Sequence, residues 1–215
     1  MRTRLIGWSA FVLFLTVLAY AAHFSAAKPE KDVAYRWGSS VSALIEYGII
    51  LGAVFLLTRG LERRAFLGLR RPTSWSRALG VSLAVVGAVI VVSTVVGAFG
   101  NAEKEQGLIP SHWNSHRIAQ FAAFAAVVTL IAPVVEELLF RGVGYALLEP
   151  FGRNAAVVLV GLSFGLIHGL VIGFPVIAAF GLGLAYLRAR TGSIYPCMIL
   201  HASFNAVGLA LGVAT

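Results

Sequence analysis

The chain has 215 residues, 59% of them hydrophobic and 12% charged, with a mean hydropathy of +0.86. Soluble domains are about half apolar and about a quarter charged, so this composition excludes an ordinary soluble globule and places the chain in a membrane. Seventeen Lys and Arg against nine Asp and Glu give a formal charge of +8, and a single cysteine, Cys197, excludes an intramolecular disulfide and any cysteine-based metal cluster. The basic residues lie between apolar runs, where they act as topology signals and argue against a nucleic-acid partner.

A helix needs about 20 mainly apolar residues to cross roughly 30 Å of hydrocarbon. Seven stretches answer to this in chain order: 5 to 23, 41 to 58, 78 to 99, 118 to 148, 155 to 171, 173 to 188 and 194 to 213. The expected fold class is therefore all-α, a polytopic transmembrane helix bundle of about seven spans, with residues 1–215 forming a single transmembrane domain. The runs lack the alternation of a barrel, and in lipid only helices or closed barrels satisfy the backbone. The fourth stretch is too long for one simple span.

The first stretch follows Arg2 and Arg4, and Ala21, Ala22, Ala26 and Ala27 offer small-residue cleavage contexts. A cleaved signal is thus the alternative to a retained span, but the apolar core exceeds the usual length of about 7 to 15 residues, which favours retention. Counting from a cytoplasmic N-terminus puts eleven Lys and Arg inside and five outside, with six of the eleven between Arg59 and Arg77. The expected topology is an N-terminus in the cytoplasm and a C-terminus outside. Trp8, Trp37, Trp75 and Trp113 fall near span ends, as interfacial anchoring expects. His23, His112 and His116 lie in or near loops and read as solvated.

Ionisable groups inside apolar spans each need a reason, because one at the centre costs about 2.5 to 3.5 kcal/mol. In the second span, Glu46 is expected to pair with an arginine or to line a cavity, a structural role being favoured. The fourth span holds Glu136, Glu137 and Arg141 just after Pro133. Glu137 and Arg141 are four apart, on one helix face, and are expected to form an ion pair. Glu136 is rotated by about 100° and is left free of that arginine. Pro133 frees a backbone carbonyl and permits a bend, which suits a cavity better than a lipid face.

The fifth span ends in Phe164 to His168, and the seventh contains His201 and Asn205, which share a face at spacing four. A carboxylate, two imidazoles and an amide are the parts needed to activate water and hold an oxyanion. At a rise of about 1.5 Å per residue, His168 lies about 20 Å into its span and His201 about 10 Å into its own. For the two to meet, helix boundaries must shift or the fifth helix must tilt or start late.

Glu136-Glu137-x-x-x-Arg141, Phe164-x-x-x-His168 and His201-x-x-x-Asn205, in that order on successive late helices, resemble the motifs of the CPBP family. This family, also called ABI, comprises CAAX proteases and bacteriocin-processing enzymes. The resemblance covers about residues 118 to 208, the motif-bearing core. It implies an intramembrane endopeptidase with a buried site opening toward the cytoplasm, acting in membrane lipid on a peptide or prenylated-protein substrate. In the family pattern Glu136 and His168 activate the attacking water, and His201 and Asn205 stabilise the oxyanion. Glu137 and Arg141 then form the ion pair that fixes the helix, with Phe164 supporting the second motif.

The family is often described as metal-dependent, yet its glutamate-protease description needs no metal ligand. A zinc ion would take Glu136, His168 and His201, but the His-Glu-x-x-His spacing of common zinc proteases is absent. A cofactor-free reaction is favoured because it gives every motif residue its own task. The rival readings are a non-proteolytic immunity or scaffold protein of the same fold, and a proton-coupled transporter using intramembrane Glu and His as a relay. A transporter would often show inverted halves, which this sequence lacks.

Overall fold

A computed structural model describes residues 1–25, 32–100, 105 and 113–214. Ala26, Ala27, Lys28, Lys31, Lys104 and His112, which bear on the cleavage context, the charge count and the loop histidines, lie outside the described residues. The main helices are α1 (Arg2–His23), α2 (Trp37–Leu57), the short α3 (Arg63–Phe66), α4 (Trp75–Gly97), a long helix α5 (Ser115–Phe151), α6 (Arg153–Leu166), α7 (Phe174–Thr191) and α8 (Tyr195–Ala214). No strand occurs among the described residues, as the need to satisfy backbone groups within lipid demands.

Five of these helices, α1, α2, α4, α5 and α8, are long and apolar enough to cross a membrane. The expectation of about seven spans is met as a sequence of helices but not as seven long apolar ones. With 14 residues, α6 is only about 21 Å long. Helix α7 is wrapped by its neighbours: Phe180, Leu184, Ala185, Leu187, Arg188 and Thr191 are all buried, and its main contacts are with α6 and α4. The close approach of α6 and α7 requires glycine. A Cβ on Gly161 would lie 2.7 Å from Leu182 Cα, and one on Gly181 would collide with the Gly161 carbonyl.

The arginine-rich segment between α2 and α4 closes one end of the bundle. Its short helix is capped by Glu62, whose carboxylate accepts from the Arg64 and Ala65 N–H groups at 3.2 and 2.6 Å. Arg4 reaches it with Nη2 donating to the Arg59 carbonyl at 2.8 Å. The tight turn between α7 and α8, made possible by Gly192 in the left-handed region (φ +67°), lies beneath it. There the Ile194 N–H donates to the Gly68 carbonyl at 3.1 Å, Thr73 N–H to Thr191 O at 3.1 Å, and Arg70 Nε to Gly192 O at 2.8 Å. Thr191, Ser193 and Ile194 are fully buried.

This turn resolves the difference in depth between the two histidines. Because α8 starts inside the fold, its seventh residue, His201, already packs against Phe164 near the end of α6, with 5.5 Å between ring centroids. Sequence alone placed that start at an interface, since nothing in it announces that a polar loop folds over the turn.

At the opposite end, Tyr20 Oη donates to the Leu170 carbonyl at 3.0 Å, and Glu105 accepts from the Val171, Ile172 and Gly173 N–H groups at 2.7, 3.2 and 2.6 Å. These amides precede α7, so its positive helix end meets a carboxylate. Burial pushes the Glu105 carboxyl up, but the backbone donors and nearby His23, 3.8 Å away, outweigh it and hold it below the ordinary carboxylate range.

Candidate active site

Helix α5 is not a uniform α-helix. Two π-helical stretches, Val127–Ile131 and Leu138–Gly144, flank the α-helical turn Ala132–Glu137 that carries both glutamates. In the first, the Ala132 N–H donates to the Val127 carbonyl, five residues back. The next donor in that register would be Pro133, which has no N–H, so the Val128 carbonyl is left over. Asn205 takes it: Nδ2 donates to Val128 O at 2.9 Å. In the second stretch Trp8 Nε1 donates to Leu139 O at 3.0 Å, and Arg188 Nε to Arg141 O at 3.2 Å. Side chains from three other helices thus occupy carbonyls of the irregular segments.

The expected ion pair forms. Arg141 Nη1 donates to Glu137 Oε1 at 2.9 Å, both residues being fully buried. Arg141 Nη2 donates to the Gly181 carbonyl at 2.9 Å, and its guanidinium carbon lies 4.3 Å from the centre of the Phe164 ring. Such a pair of charges is tolerated in an apolar interior only with added hydrogen bonds, and the Gly181 carbonyl supplies one. Glu137 Oε1 also lies 3.0 Å from His201 Nδ1. An ionised carboxylate only accepts, so Nδ1 carries the proton donated to it and the His201 Nε2 is turned to the other side. There it stands 3.9 Å from Glu136 Oε2. Phe164 and Phe180 flank the His201 ring edge-on, each 5.5 Å away between centroids.

Glu136 points away from Arg141. Its Oε1 accepts from the Tyr47 hydroxyl of α2 at 2.8 Å, while its buried Oε2 has no hydrogen-bond partner. His168 follows the end of α6, with Nδ1 2.7 Å from the Phe164 carbonyl. A carbonyl only accepts, so Nδ1 holds the proton and Nε2 keeps its lone pair.

All four proposed catalytic residues, Glu136, His168, His201 and Asn205, line one cavity of about 230 Å³, and Phe164 lines it with them. The remaining wall is largely apolar, including Phe124, Val128, Ile177 and Leu209. Glu46 and Tyr47 join from α2. Glu46 is thus on the cavity, and the arginine partner of the favoured structural reading is not there among the described residues. Tyr47 was missed altogether. Its one legible signal was a hydroxyl next to an intramembrane glutamate.

Although Glu136, His168 and His201 share the cavity, no three His, Cys, Asp or Glu side chains among the described residues are grouped so as to hold a metal. As arranged, the set does not fit a three-ligand zinc site. The cavity runs from Glu136 toward Phe124 and Leu209, which pack with Ala34 at the end opposite the arginine-rich segment.

No curated protein and no solved structure matches the chain. Residues 118–207 match the family model described as type II CAAX prenyl endopeptidase Rce1-like. That segment contains all but the first three residues of α5, the two histidines and Asn205, and its family is the one to which the three motifs point, the CAAX proteases of the CPBP group.

Proposed function

We propose that the chain is an intramembrane endopeptidase that hydrolyses a peptide bond in the cavity between α2, α5 and α8. One observation carries the reading. Glu136 is only 7% exposed, yet it keeps one carboxylate oxygen without a partner at the wall of a cavity shared with His168. A buried carboxylate oxygen left unpaired is costly, so its use is to hold something that enters.

In this reading a water lies between Glu136 Oε2 and His168 Nε2, both acceptors. One takes its proton as the oxygen attacks the carbonyl carbon. The negative charge developing on the carbonyl oxygen meets the second N–H of Asn205 Nδ2 and, when the ring carries a second proton, the Nε2–H of His201, whose Nδ1–H donates to Glu137. The proton then passes to the leaving nitrogen, the C–N bond breaks, and one water has been added across it. Tyr47 holds Glu136 in place by the other oxygen. Arg141 and Glu137 anchor the helix and His201 without touching substrate.

No step needs a metal, and activity is expected to survive exhaustive treatment with a membrane-compatible chelator. Peptide substrates follow from the peptidase reading, while prenylated ones rest on the family's description. The test is a quenched-fluorescence peptide library presented to lipid-embedded protein. Cleavage by the wild type and none by Glu136→Gln supports the reading. Cleavage that persists in the Gln variant refutes Glu136 as the base.

A further inference from the structure

Glu46 is the residue that the site as described leaves unused. It lies nine residues into α2, an apolar helix long enough to cross a membrane. At about 1.5 Å per residue this is about 14 Å from Trp37, close to the middle of a hydrocarbon core about 30 Å thick, and too deep for so short a side chain to reach either surface. Among the described residues it makes no hydrogen bond or ion pair, and the charge that faces it, Glu136, has its own sign. It is also the one exposed residue among those lining the cavity.

The cavity wall repeats the point. Its polar members are Glu46, Glu136, Tyr47, His168, His201 and Asn205, and neither lysine nor arginine is among them. Glu136, whose buried Oε2 makes no hydrogen bond, lines the same space. An intramembrane carboxylate without a partner in its own chain is expensive, and the group that relieves it must come from outside. A cation in an apolar cavity, bonded to a carboxylate, is the strongest such partner.

We propose that Glu46 is a specificity-determining residue that holds a basic side chain, Lys or Arg, of the bound peptide. The proposal deepens the peptidase reading and rests on it for the word substrate. The bound segment would be apolar where it meets Phe124, Val128 and Leu209, and positively charged at one position near the bond to be cut.

The experiment uses full-length protein in nanodiscs and fluorescent ten-residue Ala/Leu peptides, acetylated and amidated, with a single Lys moved through every position. A matched set carries norleucine instead. Binding and cleavage are both measured. The best Lys peptide is expected to bind about tenfold tighter than its norleucine partner, the scale of one charge-assisted hydrogen bond. Glu46→Gln should bring the two to parity, and Glu46→Lys should favour a Glu-bearing peptide, a reversal that misfolding cannot imitate.

Equal binding of Lys and norleucine peptides at every position, or a preference that survives Glu46→Gln, overturns the proposal. A preference seen only with a free amino terminus overturns its assignment to a side chain. Charge-selective binding without cleavage upholds Glu46 and refutes the peptidase reading. Cleavage without charge selectivity does the reverse.

Discussion

The Tyr47 hydroxyl donates to Glu136 Oε1 at 2.8 Å, joining α2 to a buried carboxylate on the cavity wall. One oxygen of Glu136 is thereby fixed and the other left to act. Tyr47→Phe keeps the ring and removes only that bond, which to a charged acceptor is worth about 1.5 to 3 kcal/mol. Steady-state kinetics should give a turnover reduced by about 10- to 100-fold with little change in KM. An unchanged turnover would reduce Tyr47 to packing.

Removing the two charges of the first motif should have different consequences. Glu136→Gln is expected to abolish cleavage with the fold intact, because Gln retains the shape and the Tyr47 contact but takes no proton. Arg141→Ala strands the fully buried Glu137, a loss of about 3 to 5 kcal/mol for a broken buried pair. Thermal unfolding in detergent separates them, and equal destabilisation by both would defeat the division of roles.

Under the proposed mechanism Asn205 would have two tasks, one for each N–H of its amide. Asn205→Ala should lower turnover by about 100- to 1000-fold if the amide supports the oxyanion. It should also cost about 1 kcal/mol of stability by freeing the Val128 carbonyl. A variant that loses stability alone, with normal turnover at a temperature where it is folded, would leave Asn205 as a helix clasp.

The contacts of Arg4 with Arg59, and of Arg70 with Gly192, gather the basic residues counted as cytoplasmic at one end of the bundle. Single cysteines placed at Arg64 or Arg71 in a Cys197→Ala background should therefore react with an impermeant thiol reagent only from the cytoplasmic side. Labelling from outside would invert the orientation that the charge count gives.

Glu105 contributes an acid-sensitive fastening outside the spans. Its carboxyl is held below the ordinary range in the fold, so its stabilising effect is present above the unfolded value and is lost as the pH falls through the folded one. Thermal scans should show wild type losing stability below the ordinary carboxylate range. Glu105→Gln should be less stable at neutral pH and lack that portion of the pH dependence. Parallel pH curves for the two would contradict the assignment.

What the sequence reveals is decided by how local the cause is. The pairing of Glu137 with Arg141 follows from their spacing on one helix, and the separation of Glu136 from both follows from its rotation. Tyr47 was illegible because its partner is 89 positions away and no periodicity links them. The number of spans was less legible for a related reason. Helix α7 ends in Arg188 and Arg190 and is not among the five long apolar helices, and its burial comes from glycine contacts with α6 that a single sequence does not announce. The Glu137 contact to His201, 64 positions away, was equally hidden.

The π-helical stretch Val127–Ile131 sets the rotational phase of everything after it. Each such insertion adds one residue to a turn, and one residue corresponds to about 100° around the axis. Closing an ordinary α-helical ladder over the same residues, with none removed, would swing Glu136 and Glu137 by about 100° relative to Phe124. Glu136 would then leave the cavity wall. In this helix an apparent defect in hydrogen bonding therefore serves as an angular spacer, and Pro133, which withholds the next donor, keeps it in place.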